Sequence, residues 1–591
     1  MSLIERERTD LASVALAPGA LELTGAPEGF DALTVADIAR ARGGPIVFVA
    51  RDGARAQAFA DAFAFFAPEL ELLSFPAWDC LPYDRMSPSS GIGARRMAAL
   101  ARLAKGEGGA PRVLVTPEAA LVQRVPPRAI LAGAGFAAQP GQDVDLAGLE
   151  RYLAVNGYHR ASTVSERGEF AIRGGVIDVF PPGADEPVRL DLFGDVLESI
   201  RAFDPVSQRS TGRLNAIELM PVSEVLLDQD SIARFRHAYG AAFGASTEDP
   251  LYAAVSEGAR RGGMEHFLPL FYPKLETLFD YLPADTLVAL DHLAEAARDE
   301  RLAMIGDAFE ARIEADRARG AYHPLPPEAL YLTADEWDAA LAARPARRFT
   351  PFEHEGAADK VDMGAKLGRT FAAERAAESV NLFEAAVDHA RRLSAAGKRV
   401  LFASWSDGSS DRLGTMLADH GLKDVALVRD WPAVQARDGK QPLRIVLPLD
   451  AGFETPSLAV ISETDILGDR LARAGRRRRA QNFLTEATSL TPGDLVVHID
   501  HGIGRYTGLQ TLTVQDAPHD CLAIDYADES KLYLPVENID LLSRYGSDAE
   551  GVQLDRLGGA AWQARKARAK ERLREMAESL IAIAAARQLK A

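Results

Sequence analysis

The stretch Ile46-Val47-Phe48-Val49 decides the fold class, because four consecutive apolar residues predict a strand that is buried on both faces. The amphipathic pattern from Ala54 to Phe66 predicts a helix directly after it, and Val113-Leu114-Val115 predicts a second buried strand. Buried strands that alternate with helices are typical of a parallel sheet. The chain is therefore expected to begin with an α/β module.

The pattern changes near residue 128 to an alternation of polar and apolar residues, which is clearest over 169–180 and ends at Pro181-Pro182-Gly183. This alternation predicts an antiparallel insert, after which helical and βα patterning resumes from Asn215 to His237 and at Thr286 to Leu290. The fold class predicted is multidomain α/β plus β. Its expected parts are an α/β module over 1–127 and 214–345, an inserted α+β domain over 128–213, a linker over 346–368, a small α/β domain over 369–470, a basic linker over 471–489, a small SH3/Tudor-like β-barrel over 490–552 and a long helix over 560–591.

The amino-acid composition of the chain excludes several classes of protein. The chain has 591 residues with 67 Lys+Arg against 85 Asp+Glu, so its net charge of −18 repels polyanions and any DNA contact is expected to be local. Cys80 and Cys521 are too few for a disulfide framework, which predicts a reducing cytoplasm. No apolar run approaches the ~20 residues of a membrane span, and the N-terminus lacks a signal-peptide core, so a cytoplasmic protein is expected.

The last part of the chain carries two further patterns. The run Arg476-Arg477-Arg478-Arg479 predicts a solvated linker, with a weak phosphate-contacting strip as the alternative. The seam Leu573, Met576, Leu580 and Ile583 lies along the predicted closing helix, and no following segment buries it. We therefore expect the chain to stop before the element that packs there.

The sequence offers no nucleotide site. The segment 23–30 lies where an α/β ATPase carries its phosphate loop, but it lacks the lysine, and Gly397-Lys398 and Gly439-Lys440 lack the upstream glycine and the hydroxyl. The string Asp335-Glu336-Trp337-Asp338 resembles an ATPase motif, but Thr333 and Glu336 predict a helix capping box instead. No bound cofactor is expected.

Metal and dinucleotide sites are also not expected. The glycines of 502–508 are better explained by hairpin turns than by a dinucleotide fingerprint. His498 and His501 are predicted to face opposite sides of an extended segment, without a third ligand. No catalytic constellation can be nominated, and large α/β domains of this kind most often serve as binding scaffolds.

Long motifs spread over nearly the whole chain resemble those of the bacterial transcription-repair coupling factors. In chain order they are Ser74-Phe75-Pro76-Ala77-Trp78-Asp79-Cys80-Leu81-Pro82-Tyr83-Asp84 with Ser87-Pro88, 168–174, 191–195, 203–205, 450–454, 463–468, 497–506 and 531–536.

The resemblance implies a fold and an activity for each part. The first ~345 residues resemble UvrB without its ATPase motifs, and the insert resembles the UvrA-binding domain. Residues 490–552 resemble the RNA-polymerase-interacting domain shared with CarD-type regulators. The closing helix resembles the relay segment before a superfamily 2 motor, so this chain is expected to end before an ATP-dependent double-stranded DNA translocase, which holds the ATP and Mg, and before the inhibitory domain that follows it.

The resemblance also implies the partners. Arg173, Arg189 and Phe193 match the family's UvrA contacts, and Leu512 matches its contact to the RNA polymerase β subunit. Leu509, Thr511 and Thr513 lie in the same predicted strand and are expected to bind the β subunit with Leu512, by adding this strand to a sheet of the partner. The expected function is recruitment by a monomer that binds both partners, so that transcription arrest is coupled to nucleotide excision repair. The alternatives are a UvrB-type repair subunit and a CarD-like transcription regulator.

Overall fold

The structure is a computed structural model. It describes residues 11–105, 112–244, 249–319, 323–352, 359–377, 380–423, 425–437, 439, 441–468, 493–498, 501–514, 517–535, 542–544 and 554–556. The chain divides into two units, Met1–Ala474 and Gly475–Ala591. The predicted closing helix and the whole predicted basic linker, including the Arg476-Arg479 run, lie outside the described residues.

The first unit begins with a seven-stranded sheet whose order is β15-β1-β14-β13-β2-β4-β3 and whose paired strands are all parallel. Its strands are β1 (Ala20–Thr24), β2 (Ile46–Ala50), β3 (Glu71–Ser74), β4 (Arg112–Pro117), β13 (Leu287–Leu290), β14 (Ala346–Phe349) and β15 (Lys360–Asp362). The helices of this part are α1 (Leu11–Leu16), α2 (Phe30–Arg42), α3 (Gly53–Phe66), α4 (Ser90–Ala104), α5 (Glu118–Leu121), α6 (Arg128–Gly133), α11 (Ala294–Arg319), α12 (Pro327–Leu330) and α13 (Ala334–Ala342).

The predicted first strand and helix are confirmed. Every residue of β2 is buried, and Asp52 caps α3 by accepting a hydrogen bond from the Arg55 backbone N–H at 2.7 Å. Phe48 stacks on Phe59 at 3.7 Å on one face of the sheet, while Trp337 lies in the core on the other. The sheet is thus covered on both sides, as an all-parallel sheet requires.

The insert is a six-stranded sheet of order β11-β10-β9-β8-β7-β6, with a two-stranded sheet of β5 and β12 beside it. Its elements are β5 (Phe136–Ala138), α7 (Leu146–Val155), β6 (His159–Arg160), β7 (Glu169–Arg173), β8 (Val176–Val179), β9 (Val188–Phe193), β10 (Val196–Phe203), β11 (Ser210–Leu214) and β12 (Ile217–Leu219). Ile217 and Leu219 belong to the insert's core, so the helix expected from Asn215 is wrong there. The helix begins at Gln229, where Asp228 caps it.

A helical layer follows the insert. It consists of α8 (Gln229–Phe243), α9 (Pro250–Ser256), α10 (Leu268–Phe271) and two 3₁₀ turns at Met264–Phe267 and Leu278–Tyr281. The buried pair Arg96 and Glu224 ties it to the first sheet through guanidinium–carboxylate contacts of 2.6 and 3.2 Å. The Trp78 indole N–H donates to the same carboxylate at 2.8 Å, so the motif around Trp78 has a packing role.

The expected linker over 346–368 differs in the structure, because β14 and β15 flank β1 in the first sheet. Charged residues suggested a linker, but Arg347 is fully buried and donates to the backbone carbonyls of Val14, Ala17, Gly19 and Ala346. A guanidinium that donates four hydrogen bonds to carbonyls can be buried inside a sheet module.

The region expected to form a second small α/β domain contains a sheet of order β16-β20-β21-β17-β19-β18, while its boundaries as a domain stay a prediction. Its elements are β16 (Lys366–Leu367), α14 (Ala372–Ala376), α15 (Leu382–Ala395), β17 (Arg399–Ser404), α16 (Asp407–Asp419), β18 (Ala426–Val428), α17 (Trp431–Gln435), β19 (Leu443–Val446), β20 (Phe453–Glu454), β21 (Leu458–Ser462) and α18 (Glu463–Leu467). The ring centres of Trp431 and Phe66 lie 5.3 Å apart, and those of Phe453 and Phe30 lie 5.5 Å apart. This part of the chain therefore shares one apolar core with the first sheet.

The second unit contains a five-stranded antiparallel sheet of order β25-β24-β23-β22-β26. Its strands are β22 (Leu495–His498), β23 (Gly502–Val514), β24 (Ala517–Asp525), β25 (Lys531–Pro535) and β26 (Leu542–Arg544). The first four confirm the predicted strands, and β26 was not predicted. Closure into an SH3/Tudor-like barrel stays a prediction. Among the residues the structure describes, no helix has the length and apolar character to cross a membrane.

Candidate partner-binding surfaces

The outer face of the insert sheet brings the predicted UvrA contacts together. Val188 and Leu190 of β9 are buried in the insert core, so Arg189 and Asp191 point to the opposite face. Phe193 continues this face at the end of β9 and is 77% exposed. Arg173 ends β7 on the same face, because Phe170 and Ile172 contribute to the core.

The three predicted residues differ in their contacts. Arg189 forms a forked ion pair with Asp178, at 2.6 and 2.8 Å, and lies 4.8 Å from the Phe203 ring centre. Asp178 is 2% exposed, so this pair also supports the sheet. The hydrogen bond to Asp178 raises the pKa of Arg189. Arg173 is exposed and donates to the carbonyl of Ser162, so its guanidinium is held near the surface.

Phe193 is not part of the insert core, and among the described residues neither Arg189 nor Arg173 forms an ion pair with the neighbouring Asp191 or Asp195. Asp191 instead accepts from Arg201 at 2.7 and 3.1 Å. Arg201, which follows the buried Ile200 of β10, is not among the residues predicted from the sequence. The alternation within β10 was the signal that could have placed it on the outer face.

The predicted polymerase contacts lie in the long strand β23. Leu509 is 52% exposed and stands opposite Leu522 of β24, and Thr511, Leu512 and Thr513 continue the same ladder. A shift of register between Tyr506 and Gly508, where Gly508 has φ of +140°, separates this half of β23 from the half that pairs with β22.

Within the described residues, β23 has no second partner strand past Tyr506. The carbonyl and N–H of Tyr506 bond to Gly493 and Asp494 at 2.8 Å each. From Gly508 to Val514 the ladder of β23 has one partner strand, β24, within the described ranges. An extended strand with one unpaired edge can accept a further strand.

The position of an ATPase phosphate loop, between β1 and α2, holds a cluster of charged side chains instead. The buried Arg55 donates to Asp31 and, at 3.1 Å, to Asp291, which directly follows β13. Arg51 contacts Glu28 at 2.7 Å and Asp291 at 3.1 Å. Asp291 is not among the residues predicted from the sequence, although a carboxylate immediately after a buried strand is a recognisable signal.

The backbone donors of this loop are already used. The N–H groups of Gly25 and Ala26 donate to the carbonyls of Phe352 and Thr350, and those of Gly29 and Ala32 donate to the Asp31 carboxylate. Gly29 has φ of +88°, and a Cβ there would lie 2.8 Å from the Leu449 side chain, so glycine is required.

Charge in the cluster is unbalanced toward the acids. Three carboxylates face two guanidiniums, and burial raises the pKa of Asp31 to about 7 against the lowering effect of Arg55. Burial also raises the pKa of Asp291. Since nucleotide phosphates need free N–H donors and positive charge, the residues present do not fit them.

Two smaller expectations have clear outcomes. The capping box is confirmed, because the Thr333 hydroxyl accepts from the Glu336 N–H and the Glu336 carboxylate accepts from the Thr333 N–H. The expected opposite orientation of His498 and His501 is wrong, since their rings stack at 4.6 Å across the turn that leads into Gly502. Among the described residues, no His, Cys, Asp and Glu side chains are grouped as metal ligands.

Comparison with protein families identifies the class first: the chain carries two interaction domains. Residues 136–225 match the UvrB interaction domain, and residues 490–546 match the CarD-like/TRCF RID domain. Both matches fall on the surfaces described above.

The chain is also similar to longer proteins. The transcription-repair-coupling factor of Escherichia coli is 33% identical over 96% of this chain and 49% of its own length; that of Rickettsia bellii is 30% identical over 89% and 45%. That of Myxococcus xanthus is 32% identical over 92% and 47%. The chain is thus similar over nearly its whole length to transcription-repair-coupling factors, and it spans about half the length of the relatives it matches. A Cryptosporidium parvum pyruvate kinase aligns with a TM-score of 0.11 and 9% identity over 83% of this chain and 96% of its own, which carries no argument.

Proposed function

We propose that this chain is the recruitment region of a cytoplasmic transcription-repair coupling factor, which binds stalled RNA polymerase through its β subunit and binds UvrA. The observation that carries the proposal is the pair of exposed surfaces on the two matched domains. One surface combines arginines with an exposed aromatic ring, and the other is an unpaired strand edge.

The UvrA surface has the features of an interface hot spot. Phe193 exposes most of its ring at the end of β9, and Arg173 presents a guanidinium on the same face. Aromatic and arginine side chains are enriched where a few residues provide most of the binding energy. The surface needs neither ATP nor DNA, so we expect the chain to bind UvrA alone.

The polymerase surface works by strand addition. The edge of β23 from Gly508 to Val514 offers main-chain hydrogen bonds, and alternate side chains give specificity. Leu512 is the residue on which this assignment depends. We expect Leu512→Arg to abolish binding to the β subunit, while Tyr533→Arg on β25 of the same sheet retains it.

Catalysis belongs to the whole coupling factor in this proposal. That protein is an ATP-dependent translocase on double-stranded DNA, with ATP and Mg in its motor. The chain described here binds no nucleotide, because the loop before α2 has its donors satisfied and an excess of carboxylates. We also propose that it acts as a monomer.

The decisive experiment is isothermal titration of the chain against purified UvrA and, separately, purified polymerase β subunit, with Arg173→Glu and Leu512→Arg variants. The proposal requires each variant to lose one partner and keep the other. Thermal melting of each variant verifies folding. Binding of both partners by both variants would disprove the assignment, and turnover of ATP stimulated by DNA would favour a UvrB-type enzyme.

A further inference from the structure

The outer face of the insert carries a row of arginines that runs across three adjacent strands. Arg189 of β9 stands opposite Arg201 of β10, and Arg201 stands opposite Arg213 of β11. Residues directly opposite each other in a ladder share a face, and neighbouring strands lie about 4.8 Å apart. The three positive charges therefore form a line about 10 Å long that ends at the edge strand.

Two of these arginines have carboxylate partners within the insert. Asp178 takes both hydrogen bonds of the Arg189 fork, and Asp191 takes those of Arg201. Like charges opposite each other in a sheet are destabilising, so the two aspartates offset a cost that the arginine row creates.

Arg213 ends the row without such a partner. It is exposed, and the described residues provide no ion pair to it. Glu186, which lies before β9, accepts a hydrogen bond from Thr211 of β11 at 2.8 Å. All five residues of β11 are exposed, and β11 is the edge of its sheet, so the guanidinium is open to a partner.

We infer that Arg213 extends the UvrA-binding surface to the edge of the insert and pairs with a carboxylate on an acidic segment of UvrA. The charge pattern supports an acidic occupant. The face carries Arg173, Arg189, Arg201 and Arg213 against Glu169, Asp178 and Asp191, a surplus of one positive charge, although the whole chain has a net charge of −18. A local surplus of positive charge on an acidic protein selects a partner of the opposite sign.

This inference rests on the proposed function, and it concerns a residue outside the three first assigned. Arg213 contributes specificity rather than stability, because its only charged ladder neighbour is another arginine. Replacing it with an acid removes that repulsion and places a carboxylate opposite Arg201. The Arg213→Glu variant is therefore expected to melt at or above the temperature of the wild type.

The test is titration of purified UvrA with the wild-type chain, Arg213→Gln, Arg213→Glu and the control Arg236→Glu. Arg236 is an exposed arginine on α8, outside the sheet, so its reversal changes net charge equally. We expect affinity to fall severalfold in Arg213→Gln and at least tenfold in Arg213→Glu, with the control within twofold of the wild type.

The outcomes separate the two ideas. If wild-type chain binds UvrA and Arg213→Glu binds like the control, the inference is overturned while the proposed function stands. If wild-type chain does not bind UvrA, the proposed function itself fails. A weakened Arg213→Glu variant that also melts well below the wild type would show a structural role and overturn the inference as well.

Discussion

Two arginine-rich regions of this molecule use the same side chain for opposite purposes. Between β1 and α2, Arg55 is 4% exposed and its charge is answered by carboxylates of the same chain. On the insert, Arg173 and Arg213 are exposed on a face where arginines outnumber aspartates. The comparison teaches that burial and internal pairing mark a structural charge, whereas exposure with surplus charge marks a binding surface.

The largest expected effect is on stability at the buried cluster. Arg55→Met leaves Asp31 and Asp291 buried without their main counter-charge. Removing one partner of a buried ion pair lowers the free energy of unfolding by about 3–5 kcal/mol, and we expect a loss of this size. Urea unfolding measures this as a lower midpoint. The control is Arg102→Met, whose pair with Glu71 is about one third exposed and should contribute less than ~1 kcal/mol. Equal losses in both variants would contradict the distinction between the two regions.

The next effect is on binding at the insert face. Arg173→Glu should weaken UvrA binding by about 2 kcal/mol, or roughly thirtyfold, as expected of a hot-spot residue. Phe193→Ala should weaken UvrA binding by a similar amount, because the ring is exposed and available to the partner. Since the ring is not part of the core, the variant should fold normally. Calorimetric titration measures both. Arg236→Glu serves as the matched control, and unchanged affinity in both insert variants would remove these residues from the surface.

Arg189 requires a different design. Charge reversal there places a carboxylate against the buried Asp178, so a loss of binding would be mixed with unfolding of the insert. Arg189→Ala together with Asp178→Ala removes both partners of the ion pair. The double variant should keep most of its stability and still bind UvrA more weakly than the wild type, which a melting curve and a titration together resolve.

The periodicity of apolar residues predicted the sheets well. The apolar run in β2 matches a strand buried on both faces, and the alternation in β7 to β10 and β22 to β25 is typical of strands buried on one face. It failed where a charged residue is internal, as at Arg347 in β14, because burial of its guanidinium depends on carbonyls supplied by distant segments. The family resemblance supplied Arg173, Arg189 and Phe193. It did not indicate the row through Arg201 and Arg213, because cross-strand register arises only from the folded sheet.

The dependence of binding on salt concentration should also differ between the two partner-binding surfaces, with an effect of intermediate size. UvrA affinity should fall as sodium chloride rises from 0.05 to 0.5 M, because exposed charges are screened over about a Debye length. Binding of the β subunit through the β23 edge should change less, since main-chain hydrogen bonds dominate there. Parallel titrations at four salt concentrations measure both slopes. A steeper salt dependence for the β subunit than for UvrA would contradict the prediction that the electrostatic contact lies on the insert.

The smallest effect is expected at Glu28, the exposed member of the buried cluster. Its side chain is 44% exposed and contacts Arg51 at 2.7 Å and Arg55 at 3.5 Å. Solvent screens such a pair, so Glu28→Ala should change the free energy of unfolding by less than ~1 kcal/mol, far below the change expected for Arg55→Met.

The Glu28→Ala variant also removes one of three carboxylates, which lowers the net negative charge around Asp31 and should lower the pKa of that group from about 7. Because Asp31 binds protons more readily in the folded than in the unfolded chain, its raised pKa makes stability fall as pH rises from about 4 to 7. Urea unfolding at pH 5 and pH 8 should therefore show a smaller stability difference between the two pH values in Glu28→Ala than in the wild type. An unchanged difference would mean that Glu28 does not influence Asp31, and that the cluster consists of Asp31, Asp291, Arg51 and Arg55 alone.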